Sequence, residues 1–350
     1  MELLHKLREQ ARGSLTEQTF DYYDGGAGGE QTIADNEAAW RALWIRPRLM
    51  VDVSAVDTSC TLLGRQLAMP ILLAPMAAQR LLHEDGECGA ARAAGAAGTV
   101  YCLSSRATTD LAEVAAAAPG PLWFQLYVAG DREHSAQVLA RAAAHGFGAV
   151  LLTIDMPVGG RRERELRHAA HAFPDGVSLT SHLGYDVPAE TKPVGGWDAT
   201  LTWADVAWVR AASGLPVLVK GVLTAEDAVL ALDAGADGIV VSNHGGRQLD
   251  GCVPTAVALP EVVEAVRGHV PVLVDGGIRD GGDVLRALAL GAAAVLVGRP
   301  YAWGLATGGE AGVHAVVTAF AEDLRRVMAL TGCPSLADVG RDRVRPAVRF

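Results

Sequence analysis

Cysteine is scarce and unpatterned in this chain. Five are scattered over 350 residues (Cys60, Cys88, Cys102, Cys252, Cys333), an odd number without C-x-x-C spacing. That excludes a disulfide framework and offers no zinc-ligand set, so no metal is expected and reduced thiols fit a cytoplasmic setting. Aromatic residues make up only 5% of the chain, which leaves Ala, Val, Leu and Gly to fill the core. Positive charge is short as well. Thirty Lys and Arg against 40 Asp and Glu give a net charge of -10, which argues against nucleic acid, because a phosphate backbone needs a basic face. Long apolar runs are missing too. The longest, Ala287 to Val297, falls well short of the ~20 residues that cross a bilayer as a helix. The opening Met1 to Gln10 mixes charges through its apolar positions and lacks a signal-peptide stretch. Small-molecule partners are what this composition leaves.

What is present is a repeat of short apolar strands and helical segments that often close on glycine. The strands read as Met69 to Pro75, Thr99 to Ser104, Leu122 to Tyr127, Ala149 to Asp155, Pro216 to Gly221, Gly238 to Asn243, Pro271 to Gly276 and Ala294 to Gly298. Eight units predict an α/β fold of the (β/α)8 barrel type over about residues 69–299, within a single domain spanning 1–350. A doubly wound sheet is disfavoured because no G-x-G-x-x-G follows an early strand. Thr224 reads as the N-cap of a helix with Asp227 at its third position and Gly235 near its exit. Two segments fall outside the repeat: a leader of mixed helical and extended character up to about residue 68, and an insertion from Met156 to about Thr200. Both are expected to cover an end of the barrel or its entrance. A loop of the insertion's length on the active face reads as a lid.

Catalytic groups in such a barrel hang from the carboxyl ends of the strands, and those ends are polar here. The richest is the sixth, Ser242-Asn243-His244-Gly245-Gly246-Arg247. His244 offers a base near neutral pH and Arg247 a fixed cation for a carboxylate, although an isolated His-x-x-Arg more often ties a loop to itself. Gly276, Gly277 and Arg279 after strand seven, with Gly298 and Arg299 after strand eight, match the usual phosphate seat of the architecture; surface ion pairing is the alternative for either arginine. Lys220 at the end of strand five would face negative charge, either an anionic reduced flavin or a neighbouring carboxylate. Gln125, Thr153 and Ser242 can hydrogen-bond a heterocycle edge or simply satisfy the barrel rim.

These residues resemble one family, the FMN-dependent α-hydroxy acid oxidases and dehydrogenases of the glycolate oxidase type. The resemblance runs over nearly the whole chain. It is carried by Asp21-Tyr22-Tyr23, Leu73-Ala74-Pro75-Met76-Ala77, Leu103-Ser104-Ser105, Phe124-Gln125-Leu126-Tyr127, Leu218-Val219-Lys220-Gly221, Ser242-Asn243-His244-Gly245-Gly246-Arg247-Gln248-Leu249-Asp250 and Asp275-Gly276-Gly277-Ile278-Arg279. It implies oxidation of a small-molecule (S)-2-hydroxy acid to the 2-oxo acid with FMN as cofactor, and a homo-oligomer, a tetramer in many relatives. His244 would be the base and Asp155 the carboxylate that stabilises its protonated form. Arg162 and Arg247 would hold the substrate carboxylate, with Tyr22 and Tyr127 hydrogen-bonding the substrate. FMN would contact Pro75, Met76, Ala77, Ser104, Gln125, Tyr127, Thr153, Lys220 and Ser242, with Asp275 near its ribityl chain and its phosphate at Gly276, Gly277, Arg279, Gly298 and Arg299.

Two departures concern the substrate. Arg106 stands where plant-type glycolate oxidases carry Trp, and Gly159 where Leu is usual. They imply a larger pocket than glycolate needs, with Arg106 either recognising a second anionic group or turning to solvent. Oxygen, giving hydrogen peroxide, is the expected electron acceptor, on Ala77 and the lack of a membrane-binding insertion. A flavin dehydrogenase using a quinone or protein acceptor, and a non-redox phosphate-binding barrel, are the alternatives.

Overall fold

The computed structural model describes residues 2–168, 177–179 and 198–347. Eight parallel strands close into a barrel: β1 (Ile71–Leu73), β2 (Tyr101–Ser104), β3 (Leu122–Leu126), β4 (Val150–Thr153), β5 (Val217–Val222), β6 (Gly238–Val241), β7 (Val272–Val274) and β8 (Ala294–Val297), each paired with the next and β8 with β1. Seven fall within the expected strands, the fifth runs one residue past the expected end at Gly221 to Val222, and a doubly wound sheet is excluded by the closure. These strands are buried on both faces, one against the helices and one inside the barrel, which is why they read as continuous apolar runs. Leu72, Leu151, Leu218, Val240, Leu273 and Leu296 fill the interior cluster, while Leu73, Leu152, Val219, Ile239 and Val274 join the larger cluster shared with the helices.

The helices begin where the sequence signals them. Thr224 caps Ala225–Asp233, its side chain accepting from the Asp227 amide at 3.2 Å, and Gly235 follows with φ +86°, a left-handed exit that glycine takes without steric cost.

The leader reaches both ends of the barrel. Its hairpin, Cys60–Leu62 against Arg65–Leu67, inserts Leu62 and Leu67 into the interior cluster beside Val100, Ala149 and Ala294, at the strand beginnings. Its helices Glu17–Asp24 and Gln31–Arg41 lie instead at the carboxyl ends. There Asn36 and Asn243 exchange two amide hydrogen bonds (2.9 and 2.7 Å), and Asp250 accepts from the Gly29 and Thr32 amides (2.9 and 2.8 Å). Of the insertion expected over 156–200, the stem is described: a short helix, Glu163–Leu166, tied to the leader by Arg164, which pairs with Asp24 and Glu30. The remainder of the expected lid, apart from 177–179 and 198–200, lies outside the described residues. Among the described residues no helix is long and apolar enough to cross a membrane.

Candidate active site

The strand-end residues singled out in the sequence converge at the carboxyl mouth of the barrel. His244 follows β6 in a single 3-10 turn (His244–Gly246) at φ +58°. That left-handed conformation is uncommon outside glycine, and such strain is typical of functional sites. The His244 amide donates to Ser242 Oγ (3.1 Å), while its ring lies between two partners: Nδ1 is 2.9 Å from Asp155 Oδ1 and Nε2 is 3.2 Å from the Tyr127 hydroxyl. Asp155, just beyond β4, packs against the backbone of Gly221 in β5. A Cβ there would meet Asp155 Cβ at 2.6 Å and φ is +114°, so this close approach requires glycine. Burial pushes the Asp155 carboxyl up, but His244 and Lys220 outweigh it and hold it below the usual carboxylate range. An ionised Asp155 can only accept, so Nδ1 carries the imidazole proton and Nε2 is the basic nitrogen.

Beside the histidine lie the two arginines. Arg247 donates through Nη1 to the carbonyls of Tyr22 and Gly25 and stacks over the Tyr22 ring, 5.1 Å from its centroid. Arg162 donates through Nε to the Arg247 carbonyl (3.1 Å) and through Nη2 to Gln248 Oε1 (3.2 Å). Glu165 Oε1 lies 3.3 Å from both guanidiniums. Burial, reinforced by the neighbouring Arg162 charge, pushes the Arg247 guanidinium below its ordinary value. Two like charges held this close to each other, both acting on Tyr127, form a site for an anion.

A second polar group lines the rim. Ser104 Oγ donates to Gln125 Oε1 (3.0 Å), and Gln125 Nε2 donates to Thr153 Oγ1 (3.0 Å). Lys220, 4% exposed, donates to Ser242 Oγ (2.8 Å) and pairs with Asp275 Oδ2 (2.9 Å). Burial pulls the Lys220 ammonium down, yet Asp275 and Asp155 raise it above its ordinary value, so it stays charged. The carboxylate alternative for Lys220 is therefore realised. Four buried side-chain polar atoms among the described residues lack a hydrogen-bond partner, and two of them, Asp275 Oδ1 and Asp155 Oδ2, belong to this site. Buried polar atoms are normally satisfied, so a polar ligand fits here.

At the expected phosphate seat, Gly276 and Gly277 have φ +88° and +81°, and a Cβ on Gly277 would meet Asn36 backbone at 2.7 Å. Arg279 pairs with Glu37 (3.1 Å) and lies over the Trp303 ring. Arg299 donates to the carbonyls of Tyr23, Asp24, Gly25 and Gly245, and burial pushes its guanidinium down to about 9, with Arg247 and Arg279 adding to the effect. Pro75, Met76 and Ala77 follow β1, and the Tyr23 hydroxyl donates to the carbonyls of Ala77 and Ala78 (2.8 and 2.6 Å). Met76 Sδ lies beside Gly298.

Sequence reasoning quoted Gln248, Asn243 and Asp250 only as parts of a motif, and it gave no role to Asn36 or Glu165. Gln248 Nε2 donates to the carbonyls of Asp155 and Val158, and its Oε1 accepts from Gly160 and Arg162, so it ties Asp155 to Arg162. The one available signal was the polar density of the block from Ser242 to Asp250.

An eight-stranded barrel with a His-Asp pair, paired arginines and a polar rim at its carboxyl mouth has the make-up of an enzyme site for small anionic molecules. The chain belongs to the FMN-dependent dehydrogenase family, whose model matches residues 11–346. It is 46% identical over 343 residues to glycolate oxidase 1 of Oryza sativa subsp. indica, covering 95% of this chain and 93% of that one. It is 44% identical over 350 residues to L-lactate oxidase of Nostoc sp., covering 96% of each. A solved mandelate oxidase with benzoyl-formic acid superposes with a TM-score of 0.90 at 43% identity, covering 98% of this chain and 97% of that one. The protein is an FMN-dependent 2-hydroxy acid oxidase with FMN as its cofactor.

Proposed function

We propose that the chain oxidises an (S)-2-hydroxy acid to the 2-oxo acid and passes the electrons to oxygen, giving hydrogen peroxide. The observation that carries this reading is the His244 ring held between Asp155 at Nδ1 and the Tyr127 hydroxyl at Nε2, with Arg162 and Arg247 sharing Glu165 and both acting on the same Tyr127. Arg162 and Arg247 hold the substrate carboxylate, and Tyr22 and Tyr127 orient the hydroxy acid. His244 takes the proton that must leave as the hydroxyl-bearing carbon is oxidised, and the ionised Asp155 stabilises the imidazolium that results. Fixing the reacting carbon in one complex replaces an encounter between free molecules by an oriented transfer.

FMN, when bound, supplies the two-electron acceptor. The residues present suit it. Gln125, Thr153, Ser104, Ser242, Tyr127 and the Pro75-Met76-Ala77 segment would line its ring system, Lys220 would favour its anionic reduced form, and Asp275 Oδ1 has its acceptor capacity unused. Gly276, Gly277, Arg279, Gly298 and Arg299 would take the phosphate.

The substrate is larger or more anionic than glycolate. A Cβ at Gly159 would meet nothing within 4 Å, and Arg106, part-buried two residues beyond Ser104, has its backbone fixed by bonds to Ser104 Oγ (3.1 Å) and the Ala78 amide (2.9 Å). Its charge acts on the Tyr127 hydroxyl, which supports an influence on the substrate. Oxygen uptake with one hydrogen peroxide formed per 2-oxo acid supports the oxidase reading; turnover only with quinones or dyes supports the dehydrogenase instead.

A further inference from the structure

The Arg162 and Arg247 guanidiniums are held mainly by neutral oxygens. Their partners are the carbonyls of Tyr22, Gly25 and Arg247 and the amide of Gln248, and Glu165 is the one charged group in contact with both among the described residues. Glu165 Oε1 is equidistant from Arg162 Nη1 and Arg247 Nη2 at 3.3 Å. That is long for a charge-assisted hydrogen bond, which settles near 2.7–2.9 Å. The carboxylate is therefore loosely bonded, yet it is not free to leave. Its neighbour Arg164 anchors the same short helix to Asp24 and Glu30 on the leader, and His168, two residues past that helix, lies 2.8 Å from Asp21.

We propose that Glu165 is an internal counterion that competes with the substrate carboxylate for Arg162 and Arg247. This rests on the reading of those two arginines as the substrate clamp. Without a compensating negative charge, two part-buried guanidiniums would bind any monoanion tightly, including the 2-oxo acid product, which carries the same carboxylate as the substrate. A carboxylate held nearby by independent anchors weakens that grip in the ground state and takes over the arginines as product departs. Glu165 thereby sets affinity for the carboxylate end of the ligand, whatever the rest of the ligand is.

The test uses FMN-loaded enzyme and pyruvate as a monoanionic probe, its binding followed by perturbation of the flavin spectrum. Glu165→Gln keeps an acceptor oxygen and removes the charge. It should tighten pyruvate binding about tenfold, the scale of one unit charge removed a few ångströms away in a water-like dielectric, and lower KM for a 2-hydroxy acid in parallel. A neutral 2-hydroxy amide, which lacks the carboxylate, should shift by less than twofold, a contrast that general structural damage would not produce. Glu165→Asp, which retracts the charge by one methylene, should move pyruvate binding in the same direction by less, and it serves as the readout if the Gln variant does not retain FMN. Unchanged or weaker pyruvate binding in these variants would overturn the proposal. Arg162→Leu tests the clamp reading separately: it should lose pyruvate binding, and if it does not, the clamp itself is wrong.

Discussion

His244 Nδ1 lies 2.9 Å from Asp155 Oδ1, while the second oxygen of that buried carboxylate has no hydrogen-bond partner. The pairing fixes which imidazole nitrogen is basic and turns it toward Tyr127. Asp155→Asn would remove the charge that stabilises the imidazolium while preserving shape. Flavin reduction by substrate, measured anaerobically by stopped flow, should slow by about 10²-fold or more, the usual scale for general-base support. FMN content should be unchanged. A loss below threefold would mean that Asp155 serves structure alone.

Arg106→Ala should weaken kcat/KM for a 2-hydroxy diacid by about tenfold or more, since an ion pair in a partly desolvated pocket is lost, while a 2-hydroxy monoacid of similar size changes little. Equal effects on the two substrates would show that Arg106 does not read a second anionic group.

The Asn36 and Asn243 amides satisfy each other in the interior, joining the leader to the loop that carries His244. Asn36→Ala strands the Asn243 amide in a buried setting, and about 2 kcal/mol of stability should be lost in denaturant unfolding. Asn36→Asp keeps the oxygen that accepts from Asn243 and Thr255 but loses the donor to Asn243 Oδ1 and buries a charge, so it should be tolerated no better than alanine.

Asp283 caps the loop after β7 by accepting from the Arg279 amide, and burial together with the charge of Asp280 pushes its carboxyl up to about 6. A raised carboxyl means that the fold favours the protonated acid. Its contribution is therefore greatest below the unfolded value of 3.8 and is lost as pH rises toward 6. Asp283→Asn, which cannot ionise, should gain on the parent by up to about 3 kcal/mol between about pH 4 and about pH 7. Unfolding free energies at the two pH values check this, and a pH-independent difference would contradict it.

The barrel was legible because burial on both faces writes each strand as an unbroken run such as Ile239-Val240-Val241. Strand ends were drawn too long at Pro70 and Pro75, which lack the amide a ladder needs, and at Asp155, which leaves the sheet to reach His244. The candidate site residues were legible because they cluster at those ends. Their supporting partners were not: Asn36 meets Asn243 across 207 positions and Glu165 meets Arg247 across 82. Glu165 sits in a segment without periodicity, where no local pattern indicates which charge faces the clamp. Lys220 shows a different limit. Its need for a negative partner was readable, but only the fold could supply Asp275.

The visible spectrum of the purified protein, followed anaerobically while aliphatic, aromatic and dicarboxylic (S)-2-hydroxy acids are added, tests the central assignment most directly. A yellow protein bleached by at least one of them, with bleaching slowed by orders of magnitude in His244→Ala, is the expected result. A flavin-loaded protein that none of them reduces, or one reduced equally fast without His244, would contradict it.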